Sequence, residues 1–234
     1  MEPCIQAVHI TKKFPGVLAL NDISIDFYPG EVHALLGENG AGKTTLIKIL
    51  SGVYTATEGK VMLNGREMYF QSPRQALDAG ISVIHQELSI ANDLTVAENI
   101  YLGAEPRQKN GVFVDKKKMI ADAQAVLDFM KVNIKATDLA RDLTAAQQQM
   151  AEIAKIIVKN SKVVIMDEPT SSLSEHEIAA LFEQIRMLKE KNVAVIYISH
   201  RMKEIFEMCD RATVLRDGCF VSTCMIKDVT ENQI

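Results

Sequence analysis

The sequence predicts an α/β protein: a parallel-sheet core with short antiparallel strands beside it and an α-helical segment inserted into it. Three observations predict this. Gly37-Glu38-Asn39-Gly40-Ala41-Gly42-Lys43-Thr44-Thr45 fits G-x-x-x-x-G-K-[ST] at every fixed position. Val32, Ala34, Leu35 and Leu36 lead into it as a strand, and Leu46, Ile47, Ile49 and Leu50 lead out at helical spacing. Apolar strands at 163–166 and 193–198 flank an amphipathic helix from about Glu175 to Lys191, which makes a βαβ unit of a parallel sheet. Helical patterns fill most of the interval 87–160, between these two halves.

Each element has a local reason. Residues 4–36 are β-rich: Ile5, Ala7 and His9 alternate with Gln6, Val8 and Ile10, and Ile23, Ile25 and Phe27 alternate with Ser24, Asp26 and Tyr28. Pro29-Gly30 is a turn ahead of the strand entering the Gly-rich loop. Thr57-Glu58-Gly59-Lys60 reads as a further turn before a short strand at 61–63, and Asn64-Gly65 signals a hairpin. Ser72-Pro73 starts a helix through Ala79, with Gly80 as its stop, and residues 81–84 form a buried strand.

The helical interval opens with the capping box Thr95-Val96-Ala97-Glu98. The polar loop 106–111 follows. A helix over 115–131 carries Met119, Ile120, Ala123, Val126, Leu127 and Met130 on one face, and another over 144–159 carries Met150, Ile153, Ala154 and Ile157. Strands at 212–215 and 219–222 around Asp217-Gly218 form a last hairpin. Residues 228–234 read as a helix just beginning, capped by Thr230. The chain is therefore expected to be truncated before its natural C-terminus, inside a longer polypeptide.

Composition narrows the function classes. The 234 residues fit one domain, 1–234, with an inserted lobe: a core of 1–86 and 161–234 and a helical subdomain of 87–160. A hydrophobic content of 47% is enough for a proper core. The net charge of −4 provides no basic footprint, so nucleic acid is not expected as a partner. The longest apolar runs are far too short to span a bilayer, and residues 1–4 lack the start of a signal peptide. Cys4, Cys209, Cys219 and Cys224 have no C-x-x-C spacing, which favours free thiols in a reducing compartment over a metal site or disulfides.

The loop at 37–45 carries phosphate chemistry. Gly37, Gly40 and Gly42 let the backbone turn its N–H groups inward onto phosphate oxygens, and the helix that follows adds the positive end of its dipole. Lys43 can reach the outer phosphates, and the Thr44 hydroxyl can ligate Mg²⁺. A nucleoside triphosphate is the expected ligand. The strand Val163-Val164-Ile165-Met166 ends in Asp167-Glu168. Beside a phosphate loop, Asp167 can hold the Mg²⁺, and Glu168 can orient or deprotonate an attacking water. Standing alone, the pair would be two exposed acids closing a strand. Gln86 ends the strand 81–84 region where the core meets the helices and can touch both Mg²⁺ and the water. His200 follows the strand 193–198 and can donate to the γ-phosphate. His9, His33, His85 and His176 have no such setting and are read as structural.

These motifs, in this order, resemble the ATP-binding-cassette ATPase family over essentially the whole chain. The loop 37–45 matches its Walker A motif, Gln86 its Q-loop, Asp167 and Glu168 its Walker B aspartate and catalytic glutamate, Ser171-Ser172-Leu173-Ser174 its D-loop, and His200 its switch histidine. Phe14 resembles the A-loop aromatic that stacks on adenine. The resemblance implies a P-loop NTPase fold with an antiparallel β subdomain and an inserted helical subdomain, with ATP and Mg²⁺ as ligands. Lys43, Gln86, Glu168 and His200 are then the catalytic set.

Within that family, the segments 72–77, 80–88 and 94–100 are similar to those of monosaccharide importers of the ribose, galactose and arabinose type, and Gly111-Val112-Phe113-Val114-Asp115 leans towards the ribose and galactoside members. Such importers carry two cassettes on one polypeptide, and this chain resembles the first. The resemblance implies an ATPase energising sugar uptake. Its partners would be a second cassette, transmembrane permease subunits and, indirectly, a periplasmic or extracellular sugar-binding protein. Its place would be cytoplasmic, peripheral on the inner face of the membrane. The alternatives are a soluble family ATPase of translation or DNA repair, and a nucleotide-binding scaffold without turnover.

The family signature L-S-G-G-Q stands here as Leu143-Thr144-Ala145-Ala146-Gln147. The resemblance implies that Thr144, Ala146 and Gln147 contact the γ-phosphate bound to the opposite cassette. Thr144 keeps the hydroxyl, whereas the methyls of Ala145 and Ala146 are compatible only with negative φ. Ser174 replaces the usual D-loop aspartate.

Overall fold

The computed structural model describes residues 2–85, 90–108, 111, 113–171 and 173–233. In chain order the elements are β1 (Ile5–Phe14), β2 (Val17–Phe27), β3 (Val32–Leu36), α1 (Lys43–Leu50), β4 (Glu58–Leu63), β5 (Arg66–Met68), α2 (Pro73–Asp78), β6 (Ile81–Ile84), α3 (Val96–Ile100), α4 (Lys116–Phe129), α5 (Ala145–Val158), β7 (Val163–Asp167), α6 (Glu175–Glu190), β8 (Ala194–Ile198), α7 (Met202–Met208), β9 (Arg211–Arg216) and β10 (Cys219–Met225). They group into two compact units. One comprises Met1–Val83, Ser161–Glu168 and Ile185–Ile234; the other comprises Ile84–Asn160 and Pro169–Gln184.

The first unit holds two sheets. In the antiparallel one the order is β2-β1-β4-β5. β1 and β2 fold back on each other at Pro15-Gly16, pairing Phe14 with Val17 and Ile5 with Phe27. Their alternation puts Ile5, Ala7, Ile23, Ile25 and Phe27 inside. Residues 58–60, expected to be a turn, are strand instead: Glu58 pairs with Thr11 and Lys60 with Val8. Cross-strand pairing with β1 overrides the local turn signal there. The turn falls at Asn64-Gly65, both at positive φ, as a tight hairpin requires.

The second sheet has the order β10-β9-β3-β8-β7-β6. β3 lies parallel to both β8 and β9, and β7 lies parallel to β8. Every residue of β3 and of β8 is buried, as a central parallel strand demands. β10 returns antiparallel to β9 through Asp217-Gly218. One apolar core joins both sheets to α1, with Leu20, Leu35, Leu46, Leu50, Ile165 and Ile196 at its centre. Burying each such side chain contributes about 1.5–3 kcal/mol of transfer free energy.

Helices dominate the second unit. Thr95 caps α3 in a full capping box with Glu98, whose carboxylate is held below the usual range by the Thr95 N–H and hydroxyl. Buried Asn99 ties the preceding turn, accepting from Ala91 N–H and donating to the Ala91 and Thr95 carbonyls. Asp115 caps α4, which buries Met119, Ala123 and Leu127 at i, i+4 and i+8. Ile120, expected on that face, is exposed, because it lies one position round the helix from the buried stripe. Residues 231–233 form a single 3₁₀ turn, with Thr230 donating to Gln233. Among the described residues, no helix is long and apolar enough to cross a membrane.

Candidate functional site

The site is built where β3 ends and α1 begins. Residues 37–42 turn through three left-handed glycines, Gly37 at φ 146°, Gly40 at 87° and Gly42 at 100°. Two of these positions are also too crowded for any side chain. A Cβ on Gly37 would stand 2.3 Å from the Leu215 carbonyl oxygen, and one on Gly42 would stand 2.9 Å from that of Ala19. β2 and the β9–β10 hairpin therefore hold the loop closely. Gly218 bridges them, donating its N–H to the Ala41 carbonyl at 3.2 Å and accepting from Asn21 N–H at 2.8 Å.

Gly42 is the N-cap of α1 and offers no side-chain acceptor, so the first N–H groups of that helix are not capped by a side chain. That suits an anion. The Lys43 ammonium lies inside the loop and donates to the Gly37 and Glu38 carbonyls at 2.7 and 3.0 Å. Burial pushes its pKa below the ordinary lysine value, and the Glu168 and Asp167 carboxylates pull it back up.

Asp167 and Glu168 arrive on β7. Asp167 pairs with Ile198 of β8, and Glu168 N–H donates to the Ile198 carbonyl at 3.0 Å. Glu168 then takes φ 49°, an uncommon conformation for a non-glycine residue. With that turn, Glu168 Oε1 lies 2.7 Å from His200 Nε2. The cleft so formed measures about 240 Å³ and is lined by residues 17–19, 39–45, Asp167, Glu168, Ile198 and His200. Lys43, Thr44, Asp167, Glu168 and His200 thus share one cleft.

The residues present fit a Mg²⁺–triphosphate. No group of three or more His, Cys, Asp or Glu side chains arranged to hold a metal occurs among the described residues. A divalent cation here would rest on one hydroxyl (Thr44), one carboxylate (Asp167) and the oxygens of the phosphates themselves, a hard all-oxygen set suited to Mg²⁺.

The other expected residues are dispersed. Gln86 lies outside the described residues, as do Val112 and Ser172. Phe14 is half-buried, its ring edge-on to Tyr54 at 5.4 Å between centroids, with Lys12 Nζ 5.1 Å from it. It does not line the cleft; Val17, 59% exposed, and Leu18, 48% exposed, do. Sequence reading missed both, because an apolar residue in a strand carries no mark of facing outward. It missed Gly218 for a similar reason: a hairpin glycine does not announce which loop it touches.

In the second unit, Thr144 caps α5 by a capping box with Gln147: Gln147 N–H donates to Thr144 Oγ1 at 3.3 Å, and Thr144 N–H donates to Gln147 Oε1 at 3.0 Å. Ala145 and Ala146 are the first residues of α5, and neither has positive φ, so their methyls cost nothing there. Ser174 meets the Glu177 carboxylate through both its N–H and its hydroxyl, at 2.8 and 2.7 Å. Both bonds tie Ser174 to the first turn of α6.

The loop, its helix and the acid-bearing strand β7, which is separated from β3 by β8 rather than lying beside it, define a P-loop NTPase core of the ATP-binding-cassette kind. The family model described as ABC transporter matches residues 20–171, and the chain belongs to that family. It is 46% identical over 232 residues to the ribose import ATP-binding protein RbsA of Yersinia pestis, covering 99% of this chain and 45% of that protein. It is 50% identical over 226 residues to a putative ribose/galactose/methyl galactoside import ATP-binding protein of Agrobacterium fabrum, covering 97% of this chain and 44% of that one. The chain thus spans about half the length of the curated relatives it matches. The crystal structure of a nucleotide-free ATP-binding cassette from an ABC transporter superposes with a TM-score of 0.85 at 27% identity, covering 98% of this chain and 95% of the other.

Proposed function

We propose that this chain is a nucleotide-binding cassette that binds and hydrolyses ATP to drive monosaccharide import, of the ribose or galactoside class, through a membrane transporter. The observation that carries the reading is the 2.7 Å approach of Glu168 to His200 in the cleft that also holds Lys43, Thr44 and Asp167. The names of the relatives support import over translation or DNA repair.

The chain's residues divide the work. Backbone N–H groups of residues 40–45 and the Lys43 ammonium bind phosphate oxygens, and on reaching them Lys43 exchanges the loop carbonyls it now holds. Thr44 and Asp167 would hold Mg²⁺, which when bound withdraws charge from the phosphates. Glu168 Oε1 accepts a proton from the attacking water and lies 2.7 Å from His200 Nε2. During transfer the His200 N–H turns from that carboxylate to the charge that develops on the transferred group. Val17 and Leu18 offer apolar surface beside the loop for the base, next to Phe14.

The core carried by 1–86 and 161–234 handles the nucleotide, and the helical segment 87–160 relays its state to permease subunits at the cytoplasmic face. A second cassette presents its own signature to this loop, as Thr144, Ala146 and Gln147 present theirs in return. A sugar-binding protein outside the membrane acts indirectly. The test is ATPase activity of the transporter reconstituted in vesicles, with and without sugar-loaded binding protein. Stimulation by ribose or a galactoside is the expected result; ATP turnover indifferent to any sugar contradicts the import reading.

A further inference from the structure

His200 sits between two residues that are tied to one buried carboxylate. Glu204, on the first turn of α7, is 5% exposed. Its Oε2 accepts from the Tyr197 hydroxyl at 2.9 Å and from the Ser199 hydroxyl at 2.8 Å. Its Oε1 takes the Arg201 guanidinium at 3.3 Å. A carboxylate can only accept, so both hydroxyl protons point at Glu204. A lone pair of Ser199 Oγ is then left to receive the Arg201 N–H at 3.0 Å. The residue before His200 and the residue after it are thereby locked to the same group.

Ile205 and Met208 bury the apolar face of α7. Placing a carboxylate inside is costly unless donors compensate it. Here the Tyr197, Ser199 and Arg201 donors belong to residues 197–201, the stretch that delivers His200. We propose that Glu204, acting through Ser199, is a positioning residue that sets the His200 imidazole against Glu168. The proposal rests on the reading of His200 as part of ATP turnover.

A double-mutant cycle in the assembled transporter tests it. Glu204→Gln turns one oxygen into a donor facing donors. It should lower kcat by roughly 10- to 100-fold, the cost of a displaced catalytic group, and leave KM for ATP nearly unchanged. In a His200→Ala background the same substitution should cost nothing more. Ser199→Ala should reproduce the loss in kcat and Ser199→Thr, which keeps the hydroxyl, should restore it. That pair carries the test if Glu204→Gln fails to fold. An equal loss in both backgrounds, or a rise in KM at constant kcat, overturns the proposal and leaves the role of His200 intact. A His200→Ala enzyme with full kcat removes the reading of His200 itself, and the proposal with it.

Discussion

Gly37 has the least room for change in the loop, with φ at 146° and the Leu215 carbonyl where a methyl would go. Neither problem can be relieved by a rotamer, because both partners are backbone. Gly37→Ala should therefore weaken ATP binding by more than roughly 10-fold and cost on the order of 1–3 kcal/mol of stability. Equilibrium titration with a fluorescent ATP analogue and urea unfolding measure the two. That Lys43, Thr44, Asp167, Glu168 and His200 share one crevice was legible in the sequence, since each stands at the end of a recognisable strand or turn. Their conformations were not. The left-handed turn at Glu168 is set against Ile198 of a strand distant in the chain, and the Glu204 network, although its partners lie within seven residues, depends on the burial of that carboxylate, which no spacing encodes.

Among the elements, caps carry much of the local specification. α3 is only five residues long, too short to persist without its ends fixed, and Thr95 fixes one of them through Glu98. Thr95→Ala should lower stability by about 1 kcal/mol. A fall in Tm with intact ATP binding by the loop would be the expected pattern; an unchanged Tm would show that the box is dispensable. The capping boxes and the Asn-Gly hairpin were readable because their chemistry lies within a few residues. Residues 58–60 were not: Thr-Glu-Gly-Lys is a good turn sequence, and only the presence of β1 alongside makes it strand. Ile120 failed for want of one helical step, a distinction set by which neighbours the helix meets.

For the molecule as a whole, His33 ties stability to pH. It is fully enclosed, with Nε2 2.7 Å from Thr213 Oγ1 and the Phe27 ring 4.8 Å away. Glu31 Oε1 lies 4.0 Å from Nδ1, yet that carboxylate is engaged by Arg211 at 2.6 Å. Burial, then the Arg211 charge, push the imidazole pKa down to about 3. The folded pKa lies below the unfolded one, so the unfolded chain binds the extra proton. Stability from this group is complete above about pH 6.5 and drains away as pH falls towards 3. At pH 5 the protein should have lost about 2 kcal/mol relative to pH 8 from His33 alone. Urea titrations of the wild type and His33→Gln at both pH values check this, the variant lacking that increment. Turnover in this cleft is tested by one substitution. Glu168→Gln, introduced into the reconstituted transporter, keeps the shape of the cleft and removes its base. ATP should still bind, while ATP hydrolysis by this cassette falls on the order of 100-fold or more and sugar uptake falls with it. Undiminished hydrolysis and uptake in that variant would contradict the assignment of this cleft as the ATP-hydrolysing site.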